Sequence, residues 1–434
     1  MMNEAWSFQA VRASSGRSFF DMLGSSEAMA IYLVVLMLLI AALVAYVLVA
    51  LHQLRKIGEN ETAATEDQTD KAPKVQGSRF ANLTQIDARL KESRSEEFVS
   101  MSLSELCEGF RHYAAGKLGL YYDIADIRRF VAGMGISKLM ILRGISGTGK
   151  TSLAYAAGAY FGNPATIVPI QPMWKERSDI VGYFNEFTKR FNETTLLCKL
   201  YEAGGKPDVY ITVLDEVNIS RIEYYFAEFL SLLELPDPKK RELDVVSDSW
   251  PNDPQRLRGG KLLLPENMWF IGTANNDDST FAISDKVYDR AAVIDLDRKA
   301  KPFAPKDTPA AHISCEELNR RFAAAKQSYR LSPRNRENLT RLDSYLVEIF
   351  RISFGNRILR QIENYVPILY ACGGTELEAL DDLLARKVLR KLEQLSPALL
   401  KSEIPGLCAL LDELFGDGLL PQCLEYLNRL AKSV

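Results

Sequence analysis

Residues Gly144-Ile145-Ser146-Gly147-Thr148-Gly149-Lys150-Thr151 combine flexible, hydroxylic and cationic groups at a spacing suited to gripping phosphate. The apolar run Leu139-Met140-Ile141-Leu142 precedes them and the helix-like SLAYAAGAYF follows. Strand, G-x-x-x-x-G-K-[ST], helix is the order in which a loop closes its backbone N–H groups around phosphates. Gly144, Gly147, Thr148 and Gly149 would form that cradle, and the following helix would present its positive end to the anion. Lys150 would reach the β and γ phosphates, while the Thr151 hydroxyl would bind Mg²⁺. A chance glycine-rich turn is the bland alternative, and the strand-to-helix context speaks against it.

Two further strand ends carry polar groups. Tyr210-Ile211-Thr212-Val213-Leu214 runs into Asp215-Glu216. Asp215 would hold Mg²⁺ through its water shell and Glu216 would polarise an attacking water, so adjacent carboxylates take different tasks. Acids also suit helix starts, which is the structural alternative. Asn267-Met268-Trp269-Phe270-Ile271-Gly272 leads into Thr273-Ala274-Asn275-Asn276-Asp277-Asp278. Asn275 would orient the water against the γ phosphate, unless the segment is simply a turn rich in Asn and Asp.

These residues need an α/β core to bring three strand ends together, and 98–300 supplies the required alternation of apolar runs and helix-like stretches. From 301 to 434 the apolar spacing of three and four, as in RLDSYLVEIFRI and LEALDDLLARKVLRKLEQL, predicts helices that form a lid and a C-terminal extension. Between Leu235 and Lys261 a polar segment reads as a hairpin insertion, with Lys239, Lys240, Arg241, Arg256 and Arg258 available to a substrate or merely solvated. His312 reads as a surface residue. Six cysteines lie far apart without metal-ligand spacing and are expected to be reduced.

Upstream the character changes. The uncharged stretch 28–51, AMAIYLVVLMLLIAALVAYVLVAL, is long enough to cross a bilayer, which takes about 20 apolar residues, and exceeds the roughly 7–15 of a signal-peptide core. Residues 1–27 would then be a short extracytoplasmic N-terminus and 52–97 a flexible linker poor in large apolar residues. Flanking positive charge is nearly balanced, so the need of Lys150 and Glu216 for ATP decides the orientation, with the C-terminal bulk in the cytosol. With 53 basic and 56 acidic residues, a net charge of -3, no global basic field argues for nucleic acid.

The motif order, with VPIQPMWKERSDIVGYFNEFTKRF after the first, VLDEVNISRIEYYFAEFLSLLE around the second and NMWFIGTANNDDSTFAISDKVYDRAAVIDL around the third, resembles the McrB-like branch of the AAA+ ATPases over 121–296. A weaker likeness lies near FGNRILRQIENYV. The resemblance implies a parallel-sheet P-loop core, a helical lid and a ring, usually hexameric, with ATP sites between subunits. It places the P-loop Lys and Thr on Lys150 and Thr151, the Walker B pair on Asp215 and Glu216, and the sensor Asn on Asn275. The arginine that crosses the subunit boundary falls on Arg290 in SDKVYDR, with Arg221 as runner-up. Arg357 in FGNR resembles the nucleotide-binding arginine of the lid, against a surface or capping role. The GTP-using restriction subunit that names the branch has M-N-T-A-D-R-S where this chain reads Ala274-Asn275-Asn276-Asp277-Asp278-Ser279-Thr280; the missing arginine favours ATP over GTP. Its DNA-reading domain is also missing, which leaves nucleic acid open as a partner.

Two classes of function follow. One is a ring ATPase, using ATP and Mg²⁺ at a bacterial inner membrane to remodel, load or gate a partner, in defence or stress response by family analogy. The other is a nucleotide-gated scaffold that recruits an effector, with a GTP-dependent motor of a restriction-type complex as a variant. No nuclease or protease motif is visible, so an effector would be a separate chain.

Overall fold

Residue alternation in the apolar runs explains the centre of the molecule. Met140, Leu142, Ile211, Val213, Trp269 and Ile271 pack into one core, and Leu139, Ile141, Tyr210, Leu214, Met268 and Phe270 into another. Successive side chains leave opposite faces of a strand, and strands covered on both faces read as continuous apolar runs. These strands are β1 (Leu139–Gly144), β5 (Tyr210–Asp215) and β9 (Met268–Asn275); β2 (Thr166–Pro169) and β10 (Ala292–Asp295) complete the sheet. Its order is β10-β1-β9-β5-β2, with every pairing parallel. Because the strands are parallel, Gly144, Asp215 and Asn275 all reach the same edge.

This computed structural model describes residues 37, 77–92, 98–275 and 280–433. The expected membrane span over 28–51, apart from residue 37, lies outside the described residues, as do the N-terminal stretch 1–27 and most of the expected linker. Among the described residues no helix is long and apolar enough to cross a membrane.

Two small antiparallel sheets decorate the core. β3 (Gly182–Asn185) pairs with β4 (Arg190–Glu193), and β6 (Glu242–Asp244), β8 (Lys261–Leu263) and β7 (Leu257–Arg258) form a three-stranded sheet in that order. The expected hairpin insertion is this second sheet. It does not leave all its cations for a substrate: Arg241 donates to Leu235 O and Arg256 to Asp87.

The folded unit begins earlier than the sequence suggests, at Gly77 rather than near 98. A helix over Ala81–Glu92 buries Leu83 and Ile86, and Glu193 accepts from the N–H groups of Asn82 and Leu83 at its start. Arg79, 2% exposed, is the anchor. It grips Asp253 with two donors at 2.9 and 2.8 Å, reaches Asp248 at 2.9 Å and lies over the Trp250 ring. The attachment combines this arginine with a few buried apolar residues, Phe80, Leu83 and Ile86, and with Asp87, which accepts from Tyr201 and Arg256, so little in the polar stretch marks the docking. Arg79→Ala would leave the Asp253 carboxylate without its charged partner, with only the Trp250 N–H remaining among the described residues, and is expected to cost about 3 kcal/mol, read as a lowered denaturant midpoint; a change within about 0.5 kcal/mol, the surface norm, would contradict it.

The helices Cys315–Ser328, Pro333–Phe350, Gly355–Ala371, Glu376–Leu383, Pro397–Phe415 and Pro421–Ser433 make up the C-terminal region, as the apolar spacing predicts. Their buried residues join the same core as one face of the sheet, including Phe322, Leu342, Ile362, Leu380, Leu407 and Leu427. The six cysteines are free. His312 is not a surface residue as expected: its Nε2 lies 2.8 Å from Asp208 and its ring packs on Phe98.

Candidate active site

β1 ends in a loop that only glycine can close. Gly144 has φ of +145°, and a Cβ there would meet Leu296 O at 2.3 Å; Gly147 and Gly149 also have positive φ. The helix Lys150–Tyr160 starts directly from this loop. Lys150 is 7% exposed and its Nζ donates to Gly144 O at 2.9 Å and Ile145 O at 2.8 Å, at the mouth of the loop. Thr148 Oγ1 donates to Ile145 O within the loop. Tyr122 donates to Gly149 O at 3.1 Å, and burial pushes its phenol up, which keeps that proton in place.

The three strand ends converge through hydrogen bonds. Thr151 Oγ1 donates to Asp215 Oδ1 at 2.8 Å, and Thr273 Oγ1 donates to the same oxygen at 2.8 Å. Thr273 Oγ1 in turn accepts from Glu216 N at 2.9 Å. Asn275 Nδ2 faces Glu216 Oε1 at 3.5 Å, and Asn218 Nδ2 donates to Asn275 O and to Thr280 Oγ1, each at 2.8 Å. Glu216 has φ of +56°, a left-handed conformation rare for a residue with a Cβ. Such strain costs on the order of 1–3 kcal/mol and persists where the surroundings enforce it. Here Thr273 does so, binding Glu216 N by its hydroxyl and Val217 N by its carbonyl at 2.9 Å.

The structure therefore brings together Gly144, Gly147, Thr148, Gly149, Lys150, Thr151, Asp215, Glu216 and Asn275. Sequence reasoning missed Thr273, Asn218 and Tyr122. Thr273 was detectable, since it stands two residues before Asn275 and so on the same strand face, a hydroxyl in an otherwise apolar strand. Among the described residues no group of three or more His, Cys, Asp or Glu could hold a metal alone. Mg²⁺ is usually held by one or two carboxylates together with substrate phosphates and water, and Thr151 and Asp215, joined at 2.8 Å, could contribute to such a set.

Arg290 and Arg357 do not join this group. Both bind Glu234, Arg290 at 3.0 Å and Arg357 at 2.7 Å. Arg290 precedes β10, whose Ala292 stands beside Met140 of β1, whereas the phosphate loop leaves β1 at Gly144. The offset is roughly 15 Å along the strands. The lid reading of Arg357, which would put it on its own chain's nucleotide, is thus at odds with its position at the opposite sheet edge. Arg221 is exposed beside the strand ends and lies over the Phe281 ring. On the loop side, Arg143 of β1 grips Asp295 at 2.8 and 3.1 Å, and Arg386 adds a third contact at 3.1 Å. Burial would raise the Asp295 carboxyl, but Arg386 and Arg143 outweigh it and hold the group below the usual carboxylate range. Beside it a cleft of about 300 Å³ opens between Asp123, Asp126, Asp297 and Arg429. Asp123 follows Tyr122 and Asp297 follows Leu296, the two residues that touch the loop glycines.

No family model and no curated protein matches the chain. Among solved structures it is similar to a protein of Cytophaga hutchinsonii described as an ATPase, at 12% identity and a TM-score of 0.43 over 76% of this chain and 95% of that one. It is also similar to a full-length MCM homolog from Methanopyrus kandleri, at 9% identity and a TM-score of 0.36 over 73% of this chain and 61% of that one. The functional reading accordingly rests on the residues of this chain.

Proposed function

We propose that the chain is an ATPase of the AAA+ type, and that it hydrolyses ATP with Mg²⁺ at the edge formed by Gly144, Asp215 and Asn275. The observation that carries this reading is the continuous hydrogen-bonded run Thr151, Asp215, Thr273, Glu216, directly beside Lys150. Lys150 and the loop N–H groups hold the phosphates. Thr151 and Asp215 would hold Mg²⁺, which would supply charge neutralisation at the phosphate oxygens. Glu216 accepts a proton from the attacking water, and Asn275, beside it, fixes where that water stands. The strained backbone of Glu216 keeps its carboxylate aimed without reorganisation at the moment of reaction.

Arg290 supplies charge to a neighbouring chain's nucleotide, because it stands at the wrong edge of the sheet for its own. This supports a ring of copies, hexameric by the McrB-like resemblance. Within the same proposal, 28–51 anchors the ring in a bacterial inner membrane with the ATPase in the cytosol, where turnover remodels, loads or gates a separate effector in defence or stress response. Protease protection of tagged ends in intact cells and spheroplasts tests that topology; a C-terminal tag digested from outside would exclude it. The activity is tested by phosphate release with Mg²⁺. ATP is expected to be hydrolysed at least about tenfold faster than GTP, near 1.4 kcal/mol in transition-state binding, since the sensor loop lacks the arginine of the GTP-using relative. A preference for GTP, or no hydrolysis of either, would overturn the assignment.

A further inference from the structure

Arg290 sits on a turn that has little stability of its own. The helix before it, Asp285–Tyr288, is a single turn, and isolated short helices are marginal in water. Yet each of the four carbonyls from Tyr288 to Ala291 accepts a hydrogen bond from a side chain elsewhere. Lys387 Nζ donates to Tyr288 O and Ala291 O, Gln361 Nε2 to Asp289 O at 2.9 Å, and Ser137 Oγ to Arg290 O at 2.9 Å. Asp285, at the start of the turn, accepts from Arg390 and from Gln394 Nε2 at 2.7 Å. Apart from Ser137, these donors belong to the C-terminal helical region.

Lys387 is the centre of this clamp. It is 3% exposed and lies in the π-helical turn Leu384–Val388, a rare geometry that concentrates at functional sites. The same turn presents Arg386 to Asp295 at the far end of β10, so one turn of the helical region holds both ends of that strand. Burial pushes the Lys387 ammonium down to about 7, and the charged and the neutral amine alike carry the two N–H donors required. The Arg290 side chain, by contrast, is only partly engaged: one terminal nitrogen meets Glu234, and its buried Nε has no partner.

We infer that Lys387 is a positioning residue for Arg290, so that the helical region of one chain sets where that chain's arginine is presented to the nucleotide of its neighbour. The inference rests on the reading of Arg290 as acting between chains. Full-length Arg290→Ala, with an intact site and no arginine, is mixed with full-length Glu216→Gln, with an intact arginine and an inactive site. Turnover is expected to return at mixed interfaces. Adding Lys387→Met to the Glu216→Gln partner is expected to cut the regained turnover at least about tenfold, a fraction of what a trans arginine contributes, with KM for ATP unchanged. Adding it to the Arg290→Ala partner, where no arginine remains to be placed, is expected to leave the regained turnover intact. Gln361→Leu, which removes the neighbouring donor to Asp289 O, is expected to show the same asymmetry at smaller size. Loss in both arrangements, or in neither, overturns the positioning role while the reading of Arg290 stands. If the first mixture regains nothing, the reading of Arg290 falls and the inference with it.

Discussion

Glu216→Gln is expected to bind Mg²⁺-ATP as the wild type does and to lose turnover by about 10²–10⁴-fold, the range a positioned general base contributes. The amide keeps the shape and the hydrogen-bonding reach of the carboxylate but cannot take a proton. Because Glu216 N and Val217 N are held by Thr273 whatever the side chain is, the left-handed turn stays and the phosphate loop is undisturbed. KM is therefore expected to change far less than kcat, the pattern of an interaction made in the transition state. Equal turnover by the two proteins would remove Glu216 from the reaction.

Arg290→Ala is expected to lower turnover by about 10³-fold or more, as loss of a transition-state arginine does, with ATP binding retained on each chain. Given its distance along the sheet from Gly144, the effect is expected to be one between chains: copies that keep Arg290 should repair the defect, even when their own sites are dead. Within its own chain the Arg290 guanidinium binds Glu234, whose other carboxylate oxygen binds Arg357. Steady-state rates of homogeneous and mixed preparations check the prediction; undiminished activity of pure Arg290→Ala would contradict it.

The residues that converge in the candidate site were legible where the proposed chemistry demands particular residues in a fixed local order. A phosphate loop is contiguous, so Gly144 to Thr151 declare themselves, and Asp215, Glu216 and Asn275 each stand at the end of an apolar run that reads as a strand. Thr273, Asn218 and Tyr122 act by cross-strand or cross-loop hydrogen bonds to partners 57, 57 and 27 residues away, and no local pattern marks such pairs. The same holds for Arg79, which reaches 174 residues to Asp253 and turns part of an expected linker into a docked helix. Helices of the C-terminal region followed from apolar periodicity. The side of the sheet on which Arg357 lands did not, since it depends on how those helices pack and not on their individual sequences.

Calorimetric titration of Mg²⁺-ATP into the full chain and into Lys150→Ala tests the central claim most directly. In the proposed site Lys150, whose Nζ lies at the mouth of the loop, is the side chain that would carry positive charge to the β and γ phosphates. One saturable site per chain in the wild type, and none in Lys150→Ala at the same concentrations with the fold intact, is the predicted result. Equal binding by both proteins, or none by either, would contradict it.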